Sequence, residues 1–270
     1  MNRQRCATFA LLVNLTIALA GVATHTSAAS PQVDFRLPAG GSPPAPPTGI
    51  STDWWTAVQE DLRRSEYHVT WQEDPDLPGV LAAYQAPNRA HNLRTYFTPE
   101  GPVTIPRLLP AESATPSWHW GLRLVAWGWE GSLQPVDAAA PHANANRIEY
   151  RRGALTEWYV NDERGLEQGF TITRPPQQAG KNLILELALT GDLTPNLTGD
   201  GTAIEFTASD GSRILRYSDL RASDATGRRL TAHLEFLEFP AFLAPPEFPG
   251  FSPGNRSGVK VVVEDTAYPT

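Results

Sequence analysis

Short runs of alternating apolar and polar residues, broken by turn formers, constrain this chain more than any other feature. They are Tyr67–Gln72, Asn92–Phe97, Val103–Leu108, Ser117–Glu130, Arg147–Arg152, Leu155–Asn161, Gly169–Arg174, Leu183–Leu189, Ala203–Thr207, Arg213–Tyr217, Arg229–Phe236 and Gly258–Asp265. Thr-Pro-Glu-Gly, Arg-Gly, Glu-Arg-Gly, Gly-Asp-Gly, Asp-Gly and Thr-Gly turns lie between them. A period of two with one apolar face is a half-buried strand, as in Leu183, Leu185, Leu187 and Leu189 alternating with Ile184, Glu186 and Ala188. A dozen such strands at roughly 10–15 residue spacing predict an all-β, mainly antiparallel fold, a β-sandwich or jelly-roll-like body. No strand–helix–strand rhythm is present to suggest a nucleotide-binding sheet, and no repeat of about 20–50 residues is found.

One segment breaks the pattern. Trp54, Trp55, Val58 and Leu62 recur at helical spacing in 54–66, with Ser51, Thr52 or Asp53 as N-cap. This predicts one short N-terminal helix. Ahead of it, 38–49 (PAGGSPPAPPTG) has no apolar face and reads as an extended linker. The chain holds 25 prolines, about twice the usual share.

The first 29 residues read as a secretory leader. Arg3 and Arg5 precede an apolar run from Ala7 to Ala23, and Ser27-Ala28-Ala29 supplies a small-residue cleavage site. The expected organisation is therefore a leader over 1–29, a Pro/Gly-rich linker over 30–53 and a β domain over 54–270, with a second sandwich division placed near 140–146. Cys6 is the only cysteine and falls in the leader. A mature chain would lack disulfides, cysteine–zinc sites and a thiol nucleophile. Removing Arg3 and Arg5, with no acid lost, takes the net charge from −7 to −9. That balance argues against nucleic acid or an anionic membrane as partner. The expected compartment is the periplasm, cell surface or medium, with a glycan or a protein as partner, no membrane-spanning segment in the mature chain and no cofactor.

Residues 145–175 carry the most distinctive words: Glu157-Trp158-Tyr159-Val160-Asn161, then Gly165-Leu166-Glu167-Gln168-Gly169-Phe170-Thr171. Tyr217-Ser218-Asp219-Leu220, Asp224-Ala225-Thr226-Gly227-Arg228, Ala267-Tyr268-Pro269 and the tract 86–94 extend them. In this order the chain, over roughly 54–270, resembles the N-terminal β domain of secreted bacterial FG-GAP (integrin-alpha-like) or related β-propeller-repeat proteins, here without the repeats. The resemblance implies a non-catalytic extracellular scaffold or adhesion-type module and supplies no catalytic residues.

Each residue that could carry chemistry also has a plainer role. Gly250-Phe251-Ser252-Pro253-Gly254 matches a nucleophile elbow, but Pro253 lacks the N–H that an oxyanion hole needs there. His68, His91, His119, His142 and His233 show no ligand spacing. Asp192, Asn196, Asp200 and Gly201 are four apart, where calcium loops place oxygens every second residue, so they read as turn formers. Glu157, Asp162, Glu163 and Glu167 beside Trp158 and Tyr159 offer paired carboxylates for a glycosidase, though Arg151, Arg152 and Arg164 can pair with them instead. Trp118, Trp120, Trp127 and Trp129 are the candidate ligand-binding residues: exposed they would stack on sugars, buried they form core. Phe239, Phe242, Phe248 and Phe251 continue from Phe236 at multiples of three in a Pro-rich segment, a candidate partner interface on one polyproline face.

Overall fold

The computed structural model describes residues 11–18, 46–107, 116–174, 176, 180–238 and 257–264. The candidate interface Phe239, Phe242, Phe248 and Phe251, and the Gly250–Gly254 motif, lie outside the described residues. The fold is mostly antiparallel β, with helix α1 over Thr52–Ser65. Ser51 caps that helix, its hydroxyl accepting from the Trp54 amide at 3.3 Å. No residue of α1 is buried, and Trp54 is 55% exposed.

The strands are β1 (Leu11–Ala18), β2 (Thr70–Gln72), β3 (Ala83–Asn88), β4 (Leu93–Thr98), β5 (Gly101–Pro106), β6 (Trp120–Trp129), β7 (Ser132–Pro135), β8 (Pro141–Asn144), β9 (Arg147–Arg152), β10 (Leu155–Asp162), β11 (Gly165–Ile172), β12 (Asn182–Gly191), β13 (Thr194–Leu197), β14 (Ile204–Thr207), β15 (Arg213–Ser223), β16 (Arg229–Glu238) and β17 (Ser257–Glu264). One layer runs β7–β6–β12–β17–β16, and the meander β2–β3–β4–β5 joins it at Thr104 opposite Trp120. The facing layer runs β8–β9–β10–β11–β1–β15–β14–β13.

The main core lies between the layers. Trp120, Leu122, Leu185, Leu187, Val259 and Val261 from one side pack against Phe170, Ile172, Ile204, Phe206 and Tyr217 from the other. A second cluster joins Val69, Ala86 and Phe97 to Ile148, Tyr150, Tyr159 and Leu166. Both clusters span the division considered near 140–146, and β6 pairs with β12 over nine residue pairs, so residues on the two sides of that point share one sheet and one core.

Two details depart from simple alternation. In β6 the register shifts between Glu186 and Leu187 of its partner, which leaves Val125 as an extra residue. A bulge changes which residues face inward. Trp120, Leu122 and Leu124 before it, and Trp127 and Trp129 after it, therefore enter the same core. Strand β12 is buried on both faces, Ile184 and Ala188 included, rather than half-buried, and Val262, opposite Ile184 on β17, is buried with it.

The apolar run read as the leader contains β1. Its backbone lies between β11 and β15 and is antiparallel to both. An eight-residue apolar run meets the length needs of a strand as well as those of a leader core.

Candidate functional site

The most organised polar cluster grows from the β9–β10 hairpin. Gly153 at φ 68° makes its turn. Arg152 pairs with Leu155 and Tyr150 with Glu157 across it. Alternation then sends Ile148, Tyr150 and Arg152 inward with Leu155, Glu157, Tyr159 and Asn161. The Glu157 residue is 1% exposed, and the Arg152 side chain 8%.

Glu157 Oε1 accepts from the Tyr159 hydroxyl at 2.6 Å and from Gln168 Nε2 at 2.9 Å. Arg152 Nη2 donates to Glu157 Oε2 at 3.3 Å. Gln168 Nε2 also donates to the Tyr159 oxygen at 2.8 Å, and the Tyr217 hydroxyl donates to Gln168 Oε1 at 2.9 Å. Arg152 lies over the Tyr150 ring at 4.9 Å, a cation–π contact. Burial pushes the Glu157 carboxyl up, against the pull of Arg152 and its hydrogen bonds. Burial, with the Glu157 charge, raises Tyr159, Tyr150 and Tyr217 well above the ordinary phenol value. Arg152 Nε and Nη1 have no hydrogen-bond partner among the described residues.

A cleft of about 310 Å³ lies beside this pair, lined by Trp127, Pro135, Val136, Asp137, Arg151 and Arg152 among others. Glu157 does not line it. Arg151 is shared with Glu149 at 3.1 Å. Both lining arginines are already paired, Arg151 with Glu149 and Arg152 with Glu157, and Asp137 adds a carboxylate to the wall.

The sequence candidates fall as follows. Trp118, Trp120, Trp127 and Trp129 are all buried, so they form core and present no sugar platform; packing against Leu, Ile and Phe outweighs exposure for rings of this size. Trp120 meets Phe206 edge-on at 5.1 Å. The paired carboxylates do not converge. Glu157 is opposite Phe170 and points inward, while Glu167 is opposite Val160 on the other face. That outer face carries Trp158, whose ring covers Gly169. A Cβ on Gly169 would sit 2.1 Å from Trp158 Cζ2, so only glycine fits. Arg147 stacks on the same ring at 4.3 Å.

Asp162 is held by Arg164 at 2.6 Å. Asp200 accepts from the Thr198 hydroxyl and the Thr202 amide, which lower its carboxyl to about 2. Asp192 instead reaches His119, with Oδ2 2.6 Å from Nδ1. Burial pulls the His119 pKa down while Asp192 opposes it, and the contact fastens the end of β12 to the start of β6. Among the described residues, no group of three or more His, Cys, Asp or Glu is placed to hold a metal ion, and no helix is long and apolar enough to cross a membrane.

The pairing of Arg152 with Glu157 is the one the sequence offered, while Gln168 and Tyr217 join the cluster unannounced. Their available signal was parity: Glu157 shares its face with Leu155 and Tyr159, and Gln168 with Leu166 and Phe170. Comparison of the chain with protein-family models, curated proteins and solved structures finds no match.

Proposed function

We propose that this chain is a secreted, non-enzymatic β module, a scaffold or adhesion-type domain of the cell surface or extracellular space. One observation carries the reading: the carboxylate best placed by sequence for acid–base chemistry, Glu157, is sealed in the sandwich and bound by Arg152, Tyr159 and Gln168, on the face opposite Glu167. A general acid needs reach to a substrate, and Glu157 instead ties strands of one layer to each other, through Gln168 on β11 to Tyr217 on β15. The all-β body agrees with the head module that the words at 157–171 resemble.

The test is expression of the full chain in a secreting bacterial host, followed by fractionation and intact-mass analysis. The reading expects folded protein outside the cytoplasm, beginning at Ser30. Full-length protein retained in the cytoplasm would overturn the secreted assignment.

A further inference from the structure

The slot filled by β1 is unusual in its neighbours. β1 is antiparallel to both β11 and β15, so these two strands run in the same direction with a gap one strand wide between them. The inner side of the slot is closed by the hydrogen bond from Tyr217 on β15 to Gln168 on β11. Leu11–Ala18 satisfies the facing backbone groups of both strands. If residues 1–29 are cleaved, the slot is vacated in the middle of a sheet, where unpaired N–H and C=O groups are costly.

The chain carries a second sequence that fits. Gln32-Val33-Asp34-Phe35-Arg36-Leu37 alternates apolar and charged residues and is bracketed by Pro31 and Pro38. An offset of 20 from β1 puts the two prolines at the places of Leu11 and Ala18, the ends of the strand, where a missing N–H is tolerated. Val33 then takes the place of Val13, opposite Phe170 and Ala222, and Leu37 the place of Ile17, opposite Leu166 and Tyr217. Those four residues are buried and face the core. The charged positions also match. Asp34 takes the place of Asn14, opposite Arg221, and Arg36 the place of Thr16, opposite Glu167. Among the described residues Arg221 makes no ion pair, and Glu167 acts on Arg164 only at longer range, while Arg164 is bonded to Asp162. Cross-strand pairs of opposite charge are favourable, and like pairs are not.

The connection is long enough. The slot ends at Leu166, which packs in one cluster with Val69, just beyond α1. Fourteen helical residues cover about 21 Å, and the thirteen residues 38–50 span up to about 43 Å.

We propose that the slot between β11 and β15 is a strand-acceptor site, and that residues 32–37 of the same chain occupy it once the leader is removed. The inference rests on the reading that residues 1–29 are cleaved. Processing would then exchange one strand for another, with Val33, Phe35 and Leu37 on the core side and Asp34 and Arg36 outside.

The test uses the full chain with Asp34→Cys and Arg221→Cys, exported into an oxidising compartment. Directly opposed residues in antiparallel strands have Cα atoms about 4.5–5.5 Å apart, within disulfide range, and Cys6 leaves with the leader. The expected product is a chain beginning at Ser30 with an intramolecular disulfide, formed far less in the register control Asp34→Cys with Ser223→Cys. A processed chain without the cross-link, or with it joining two molecules, overturns strand replacement within the chain but leaves secretion standing. An unprocessed chain overturns both. If the cysteine variant does not accumulate, charge exchange decides. Arg36→Glu should lower the melting midpoint and Glu167→Arg added to it should restore the midpoint; no coupling overturns the proposal.

Discussion

The Arg152–Glu157 pair gives the sharpest quantitative prediction, because its two halves fail differently. Replacing Glu157 by Gln leaves a guanidinium that is 8% exposed without its counter-charge, with two nitrogens unpartnered among the described residues. Breaking a buried pair in this way costs about 3–5 kcal/mol. For a domain of this size that corresponds to about 6–20 °C in melting midpoint. Replacing Arg152 by Met leaves a carboxylate that keeps Tyr159 and Gln168 as donors and can take up a proton. Its pKa, already raised by burial, loses the lowering effect of Arg152 and rises further. The folded state then binds more protons than the unfolded one above the ordinary carboxylate range, so stability must fall as pH rises through that window, by at most about 1.4 kcal/mol per pH unit. Urea unfolding of both variants from pH 4.5 to 8.5 checks this. Glu157→Gln should be strongly destabilised with no added slope, and Arg152→Met mildly destabilised at acid pH and increasingly so above it. A Glu157→Gln protein as stable as the parent, or an Arg152→Met protein with the parent's pH slope, would refute the reasoning.

Other predictions follow from single contacts. Gly169→Ala drives a methyl group into the Trp158 ring and should cost about 1–3 kcal/mol or more by overpacking, read by a denaturant midpoint and by changed Trp fluorescence. Trp120→Ala removes a fully buried ring from the main core and should cost about 3–5 kcal/mol, measured the same way. His119, lowered by burial, binds fewer protons folded than unfolded, so its contribution is complete above about pH 6.5 and is lost as pH falls; His119→Gln should flatten the stability–pH curve below neutrality.

Much of the fold was legible because strand period and turn chemistry agree. Arg147–Arg152 matches β9 in both bounds, and the Thr-Pro-Glu-Gly turn separates β4 from β5 as read. The segments not read share a cause. β7, β8 and β13 have four residues each and contain proline, too little alternation against a breaker. β3 carries Pro87. β1 has the composition of a leader, and strand pairing of that run depends on distant partners. A strict period of two would set Trp120 and Trp127 on opposite faces, and the bulge that brings both into the core is set by the register of β12, which no local pattern displays. The polar cluster was half legible. Parity puts Glu157 with Leu155 and Tyr159, but closure by Tyr217 requires the strand order β11–β1–β15.

The most direct test of the central claim, that Glu157 holds the module together rather than performing acid–base chemistry, is a turnover measurement. The parent chain and Glu157→Gln are assayed side by side on chromogenic glycosides and esters, with thermal melts on the same samples. Neither protein should turn over any substrate, and Glu157→Gln should melt at a markedly lower midpoint. Turnover by the parent that vanishes in a Glu157→Gln protein of unchanged midpoint would contradict that claim.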